Sequence, residues 1–207
     1  MQSNLIVISF ASKKGVAMKP DFLIALNKSL PHEGLISNNK YDKGGYTYKG
    51  ISRKYHPAWP GWKLVDDAIS ANSADKLNNQ QLNQLVQDFY RIEFWNKIKG
   101  DFLPNQDIAN ELFDTSINLG VTAASKILQS TINLLNRNAR LYPDISVDGI
   151  IGNQTLSMLN KCISVNGPKL VYNVLNFYQA KHYIELMERN RTQELFIGWF
   201  NRIDIVK

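Results

Sequence analysis

Apolar residues along most of this chain recur at every third or fourth position, which is the spacing that buries one face of a helix. These periodic segments predict helices at 21–33, 75–99, 111–120, 123–135 and 169–190. Only residues 37–51 differ, because they are rich in Asn, Gly and Tyr and alternate as a strand does. They predict a small hairpin with its bend at Gly44–Gly45. The fold class is therefore mainly α with one small β-hairpin.

Length and charge narrow the function only partly. A chain of 207 residues can bury a core without disulfides, and its single cysteine, Cys162, is predicted to be a small buried hydrophobe. The net charge of +6 favours polyanions. Nucleic acid and an anionic bacterial wall both fit, but the Lys and Arg residues are scattered and form no nucleic-acid-binding motif.

The N-terminal residues, 1–17, are interpreted as an extension. Leu5–Ala11 is an apolar run, but no basic residue precedes it and Lys13 and Lys14 follow it, which does not resemble a cleaved signal peptide. No stretch reaches the ~18 apolar residues of a membrane helix. We therefore expect synthesis in the cytoplasm without a signal peptide, and no stable membrane insertion.

Glu33, Asp42 and Thr47 form the group of residues with the clearest chemical meaning. Glu33 closes a predicted helix, and Asp42 and Thr47 follow in the Gly-rich hairpin. Hydrolysis of a glycosidic bond needs one carboxyl to protonate the leaving oxygen and a second to handle water on the opposite face of the sugar. By itself, a Glu and an Asp at this spacing are more often solvated surface residues.

The surrounding motifs resemble glycoside hydrolase family 108, whose pattern begins EGG and continues DPGG, a Thr, a Gly and an Ile. Here residues 32–34 read HEG, 41–51 read YDKGGYTYKGI, and 53–62 read RKYHPAWPGW. The resemblance implies a lysozyme-like fold with Glu33 as the catalytic acid. The Glu–Asp–Thr order also resembles phage-type lysozymes and implies catalytic roles for Asp42 and Thr47. Leu35 and Lys43 depart from the family pattern, both in turns.

A second resemblance covers about residues 102–203. LFDTSINLG at 112–120, KILQ at 126–129, DGIIGNQT at 148–155 and FIGWFNR at 196–202 are similar to the predicted peptidoglycan-binding module that follows family 108 domains. The implied organisation is an extension (1–17), a lysozyme-like glycosidase domain (18–101) and a helical peptidoglycan-binding-type domain packed against it (102–207). Turn chemistry explains DGIIG better than direct contact with glycan does, since Gly favours positive φ.

Four further residues are predicted to bind substrate: Tyr48, Trp62, Asp114 and Asn118. Aromatic rings stack on sugar faces, but they are more often core residues. Asn118 resembles a substrate-binding Asn of lysozyme-like folds, and a buried packing role fits it equally well. Trp95 and Trp199 are expected in the core. The three histidines are too far apart to suggest zinc, so we expect no metal and no cofactor.

These observations favour an N-acetylmuramidase that cleaves the β-1,4 bond between N-acetylmuramic acid and N-acetylglucosamine, as endolysins and secretion activators do. The expected partner is the peptidoglycan strand, with no nucleic acid, and the expected state is a monomer acting in the periplasm or cell wall. A non-catalytic wall-binding or secretion accessory protein is the alternative from another class. A nucleic-acid binder has only the net charge in its favour.

Overall fold

The computed structural model describes residues 19–32, 35–38, 45–73 and 75–206. These residues are mainly helical with one small sheet. The main helices are α1 (Phe22–Ser29), α2 (Gly61–Ser70), α3 (Gln80–Tyr90), α4 (Gln106–Leu119), α5 (Val121–Leu134), α6 (Asn153–Asn166) and α7 (Pro168–Arg189). The strands are β1 (Ile36–Asn38), β2 (Tyr46–Tyr48) and β3 (Ile51–Ser52). Short 3₁₀ segments at Leu30–His32, Asp75–Asn78 and Gly100–Phe102 and a π-helical turn at Arg91–Trp95 lie between them. A 3₁₀ segment of 12 residues, Arg191–Arg202, follows α7.

Local sequence explains where several helices begin. The side chains of Asp21, Asn79 and Asn105 accept hydrogen bonds from backbone N–H groups two or three residues further on, at the starts of α1, α3 and α4. Gly120 separates α4 from α5 with a φ of 88°. Because a positive φ suits glycine, the chain can leave one helix and enter the next there without strain.

The sheet has the order β1-β2-β3 and is antiparallel throughout. Its tight turn is the two-residue loop Lys49–Gly50, where φ is 45° and 78°. Positive φ at both positions is the geometry of a type I′ hairpin. The sequence placed the bend at Gly44–Gly45, of which only Gly45 is described. Lys at the first turn position gave no hairpin signal, because Asn, Asp or Gly usually stands there.

One hydrophobic cluster runs through the described residues from Phe22 in α1 to Leu175 in α7. At its centre the rings of Phe22, Trp95 and Phe113 meet edge to face, with centroids 5.7–5.9 Å apart. Such contacts add stability beyond the area they bury. Trp95 is thus a core residue, as expected, whereas Trp199 is half-buried and stacks on Phe196 at 5.2 Å.

The C-terminal residues return to the first helix of the fold. The backbone N–H of Asp204 donates to Asn176 Oδ1 on α7 at 2.8 Å, and its carboxylate lies 3.8 Å from the Lys28 ammonium on α1. Arg202 reaches Asp114 on α4. The C-terminal residues therefore pack on α1, α4 and α7.

Candidate functional site

Two of the three predicted catalytic residues, Glu33 and Asp42, lie outside the described residues. The structure does describe the segments next to them. α1 and its 3₁₀ extension, Leu30–His32, lead to the residue before Glu33. β2 begins four residues after Asp42. The distances that Glu33 and Asp42 make to Thr47 stay predictions.

Thr47 occupies the middle of the small sheet. It is paired with Ser37 on β1 and Ser52 on β3, and directly opposed residues project from the same face of a sheet. The result is a row of three hydroxyl residues that the sequence analysis did not anticipate. Thr47 is 7% exposed, and its hydroxyl hydrogen-bonds to no other described residue. It is therefore available to a water or a ligand.

Tyr48 and Trp62 are buried in the described structure. The Tyr48 hydroxyl donates to the Leu77 carbonyl oxygen, and burial raises its pKa to about 12. The Trp62 indole N–H donates to the His56 carbonyl oxygen at 2.7 Å, and its ring meets Trp59 edge to face. Both side chains thus have packing and hydrogen-bonding partners within the protein, and contact with sugar stays a prediction for each.

Beside Trp62 lies a polar cluster that the sequence analysis missed. The Arg53 guanidinium lies 4.8 Å from the centre of the Trp62 ring and 5.8 Å from that of Tyr46. Its two terminal nitrogens donate to the two carboxylate oxygens of Asp66 at 2.9 and 2.5 Å, which lowers the pKa of Asp66. Arg53 lies among the aromatic residues of the RKYHPAWPGW motif, and the planar guanidinium of Arg stacks on aromatic rings. The sequence therefore contained a signal for this contact.

Asp114 and Asn118 lie one turn apart on α4 and contact the C-terminal half of the chain. Asp114 Oδ1 accepts from Arg202 Nη1 at 2.7 Å, and the two side chains are only 16% and 10% exposed. The Asn118 amide donates to the Tyr183 hydroxyl on α7. Both contacts join α4 to later elements of the chain. Substrate contact by either residue stays a prediction.

Glu111 is a buried acid that the sequence analysis did not single out. Burial, followed by the neighbouring Asp114 carboxylate, raises its pKa to about 8. Its side chain reaches the Thr115 hydroxyl at 3.5 Å and lines a cavity of about 270 Å³ between α1, α4, α7 and the C-terminal residues. The sequence signal for the burial of Glu111 was its position on α4, directly before the core residues Leu112 and Phe113.

The DGIIG motif is accounted for by turn structure. Asp148 Oδ1 accepts from the buried Gln129 amide and from the Ile150 N–H, both at 2.8 Å, and these bonds lower its pKa. Gly149 has a φ of 84°, and a Cβ there would lie 2.8 Å from Thr122. The motif therefore holds the loop before α6 against α5.

Comparison with known proteins identifies the two halves of the chain. Residues 26–120 match the family described as Glycosyl hydrolase 108, and residues 123–204 match the Predicted Peptidoglycan domain. Residues 26–120, just under half of the chain, thus form a segment of the glycoside hydrolase 108 family. The fold of the chain is similar to that of SagA from Brucella abortus, with a TM-score of 0.61, 25% sequence identity and 88% of each chain covered. No curated protein matches its sequence.

The two matches together indicate a glycoside hydrolase that acts on peptidoglycan in the cell wall. The first match extends through α4, whereas the predicted boundary at 101 places α4 in the second domain. Within the described ranges, no helix is long and apolar enough to cross a membrane. The same ranges contain no group of three His, Cys, Asp or Glu side chains placed to hold a metal ion.

Proposed function

We propose that this family 108 protein is an N-acetylmuramidase, which hydrolyses the β-1,4 bond between N-acetylmuramic acid and N-acetylglucosamine. The observation that carries the proposal is the order of the two matches. A glycoside hydrolase segment that contains Glu33, Asp42 and Thr47 is followed directly by a predicted peptidoglycan domain. The basic charge of the chain fits an anionic wall as substrate.

In this proposal Glu33 is the general acid. Its carboxyl donates a proton to the glycosidic oxygen as the bond to the anomeric carbon breaks. α1 and its 3₁₀ extension end next to Glu33, and the C-terminal end of a helix carries partial negative charge. That charge favours the protonated carboxyl, which is the form a general acid needs.

Asp42 and Thr47 act on the water. Asp42 takes a proton from a water molecule while the oxygen of that water bonds to the anomeric carbon. The Thr47 hydroxyl orients the same water. The described position of Thr47 supports this role, because its hydroxyl has no hydrogen bond to another described residue and little exposure to bulk solvent. A hydroxyl in such a place can hold one water in a fixed direction.

The substitution Glu33→Gln tests the proposal. It keeps the shape of the side chain and removes the transferable proton, so lysis of purified peptidoglycan in a zymogram should fall by ~10²–10⁴-fold. Glu188→Gln is the matched control, since Glu188 is an exposed residue near the end of α7. Circular dichroism verifies that both variants fold.

Mass spectrometry of the released fragments tests the bond. We expect N-acetylmuramic acid at the new reducing end. Near-normal lysis by folded Glu33→Gln would remove Glu33 from its role. Absence of lysis in the unsubstituted protein, with wall binding intact, would instead support the non-catalytic accessory protein.

A further inference from the structure

The cavity beside Glu111 lies where the two family segments meet. Lys28, Glu111 and Asp114 come from the glycoside hydrolase segment, and Tyr172 and Asp204 come from the peptidoglycan segment. Its volume of about 270 Å³ lies just below the range of ~300–1,000 Å³ in which proteins hold drug-sized molecules. The space therefore fits one small residue and not a long stretch of polymer.

Among the described residues that line the cavity, two carboxylate oxygens accept no hydrogen bond from another described residue. Arg202 donates to Oδ1 of Asp114, whereas Oδ2 of Asp114 accepts from no described residue. Asp204 binds Lys28 and the Tyr172 hydroxyl through Oδ2, and its Oδ1 likewise accepts from no described residue. The Lys28 side chain is 52% exposed, so its ammonium can donate further hydrogen bonds.

Glu111 adds a neutral acid to these two ion pairs. It is buried, and the nearby Asp114 carboxylate opposes its ionisation, so at neutral pH it adds no third negative charge. Among the described lining residues, Lys28 and Arg202 then face Asp114 and Asp204 across one small space. A ligand carrying only negative charge would meet Asp114 and Asp204, and one carrying only positive charge would meet Lys28 and Arg202.

A neutral sugar also fits this lining poorly. Protein sites that hold sugars use the faces of aromatic rings together with hydrogen bonds. Tyr172 is the only aromatic residue that lines the cavity among the described residues, it is buried, and its hydroxyl is bonded to Asp204. A ligand that donates to the unused carboxylate oxygens of Asp114 and Asp204 and accepts from the Lys28 ammonium carries an ammonium and a carboxylate on one carbon atom.

We propose that this cavity binds the free end of an amino acid, with its ammonium group at Asp114 Oδ2 and Asp204 Oδ1 and its carboxylate at Lys28. The cavity and its lining residues alone support the binding site. The source of the ligand rests on the proposed function: it is the peptide attached to the glycan strand that the enzyme cleaves. The enzyme would thereby recognise wall peptide and sugar together.

Binding can be measured without any reference to hydrolysis. The full chain, labelled with ¹⁵N, is titrated with diaminopimelic acid, which carries an ammonium and a carboxylate at each end. We expect shifts in the amide signals of residues 28, 110–114 and 201–204. N-acetylglucosamine and glutarate, a dicarboxylate without ammonium, should leave these signals in place at the same concentrations.

Two variants test the two ends of the ligand. Lys28→Gln, at an exposed position on α1, and Asp204→Asn should each weaken binding at least tenfold. Asp107→Asn is the matched control, because Asp107 is an exposed residue on α4 outside the cavity lining, and it should bind as the parent does. Retained amide dispersion in each variant establishes that it is folded.

Unchanged signals at saturating diaminopimelic acid would overturn the proposal, as would equal or tighter binding of N-acetylglucosamine. Equal weakening by Asp107→Asn would also overturn it, because the effect would then follow from net charge. Failure of the proposed function appears separately, as absence of lysis in a protein that still binds diaminopimelic acid.

Discussion

At the scale of single residues, Glu111 shows how burial changes chemistry. Folding moves its carboxyl out of water and places it beside Asp114, and its pKa rises to about 8. At pH values between 4.5 and 8 the folded protein therefore keeps a proton that the unfolded chain has released. The contribution of Glu111 to the free energy of unfolding therefore falls as pH rises through that interval, by up to about 1.4 kcal/mol for each pH unit.

The substitution Glu111→Gln removes this dependence while keeping the shape of the side chain. We expect the parent protein to lose stability relative to the variant as pH rises from about 4.5 to about 8, and the difference to level off above that range. Urea unfolding at several pH values measures it. Glu188→Gln controls for loss of an exposed carboxylate. Parallel pH profiles for parent and Glu111→Gln would show that Glu111 ionises normally.

Thr47 gives a second prediction at this scale, which depends on the proposed function. Thr47→Val keeps the side-chain shape and removes the hydroxyl, so kcat for wall hydrolysis should fall by about tenfold or more with the fold intact. Thr47→Ser retains the hydroxyl and should recover most of that loss. Equal activity in the Val and Ser variants would show that the hydroxyl does not act on the water.

At the scale of elements, helices were the most predictable part of the chain. Apolar spacing acts locally, so the sequence shows it directly, but the helices predicted from residues 75 and 111 begin at 80 and 106, after the caps Asn79 and Asn105. The turn at Lys49–Gly50 was missed because a Lys held at positive φ depends on strand pairing and not on local preference. Glu111 was missed because helical spacing gives its place on α4 but not the nearby Asp114 charge or the covering C-terminal residues.

The turn Gly100–Phe102 depends on one close approach that spacing could not reveal. A Cβ at Gly100 would lie 2.3 Å from atoms of the Trp95 ring, which is fully buried and donates to Asp101 at 2.7 Å. Because the ring cannot move away, Gly100→Ala should lower the free energy of unfolding by about 1–3 kcal/mol. Urea denaturation measures the change.

Gly198→Ala is the matched control for Gly100→Ala. Nothing lies within 4 Å of a Cβ at Gly198, and its φ is not in the left-handed region. We expect it to change stability by less than about 0.5 kcal/mol. If the two substitutions had equal effects, contact with the Trp95 ring would not be what requires glycine at Gly100.

At the scale of the whole molecule, α4 connects the two family segments. It belongs to the glycoside hydrolase match, yet it packs on α1 and also on α5 and α7 of the peptidoglycan segment. The hydrophobic cluster continues across it from Phe22 to Leu175 without a break. The two segments, which belong to different sequence families, thus share one hydrophobic core among the described residues.

We expect the full chain to unfold in one cooperative transition. Separating the segments would expose Ile108, Leu112 and Phe113, which are almost wholly buried, and a fully buried side chain of this size loses about 1.5–3 kcal/mol on exposure to water. A half-unfolded state would therefore be too unstable to accumulate. Calorimetry tests this, because the calorimetric and van't Hoff enthalpies agree only for a two-state transition. A fragment ending at residue 120 should for the same reason lack a cooperative transition in circular dichroism. Two separate transitions in the full chain, or a cooperatively folded fragment, would mean that the segments are independent domains and that their shared core contributes little to either.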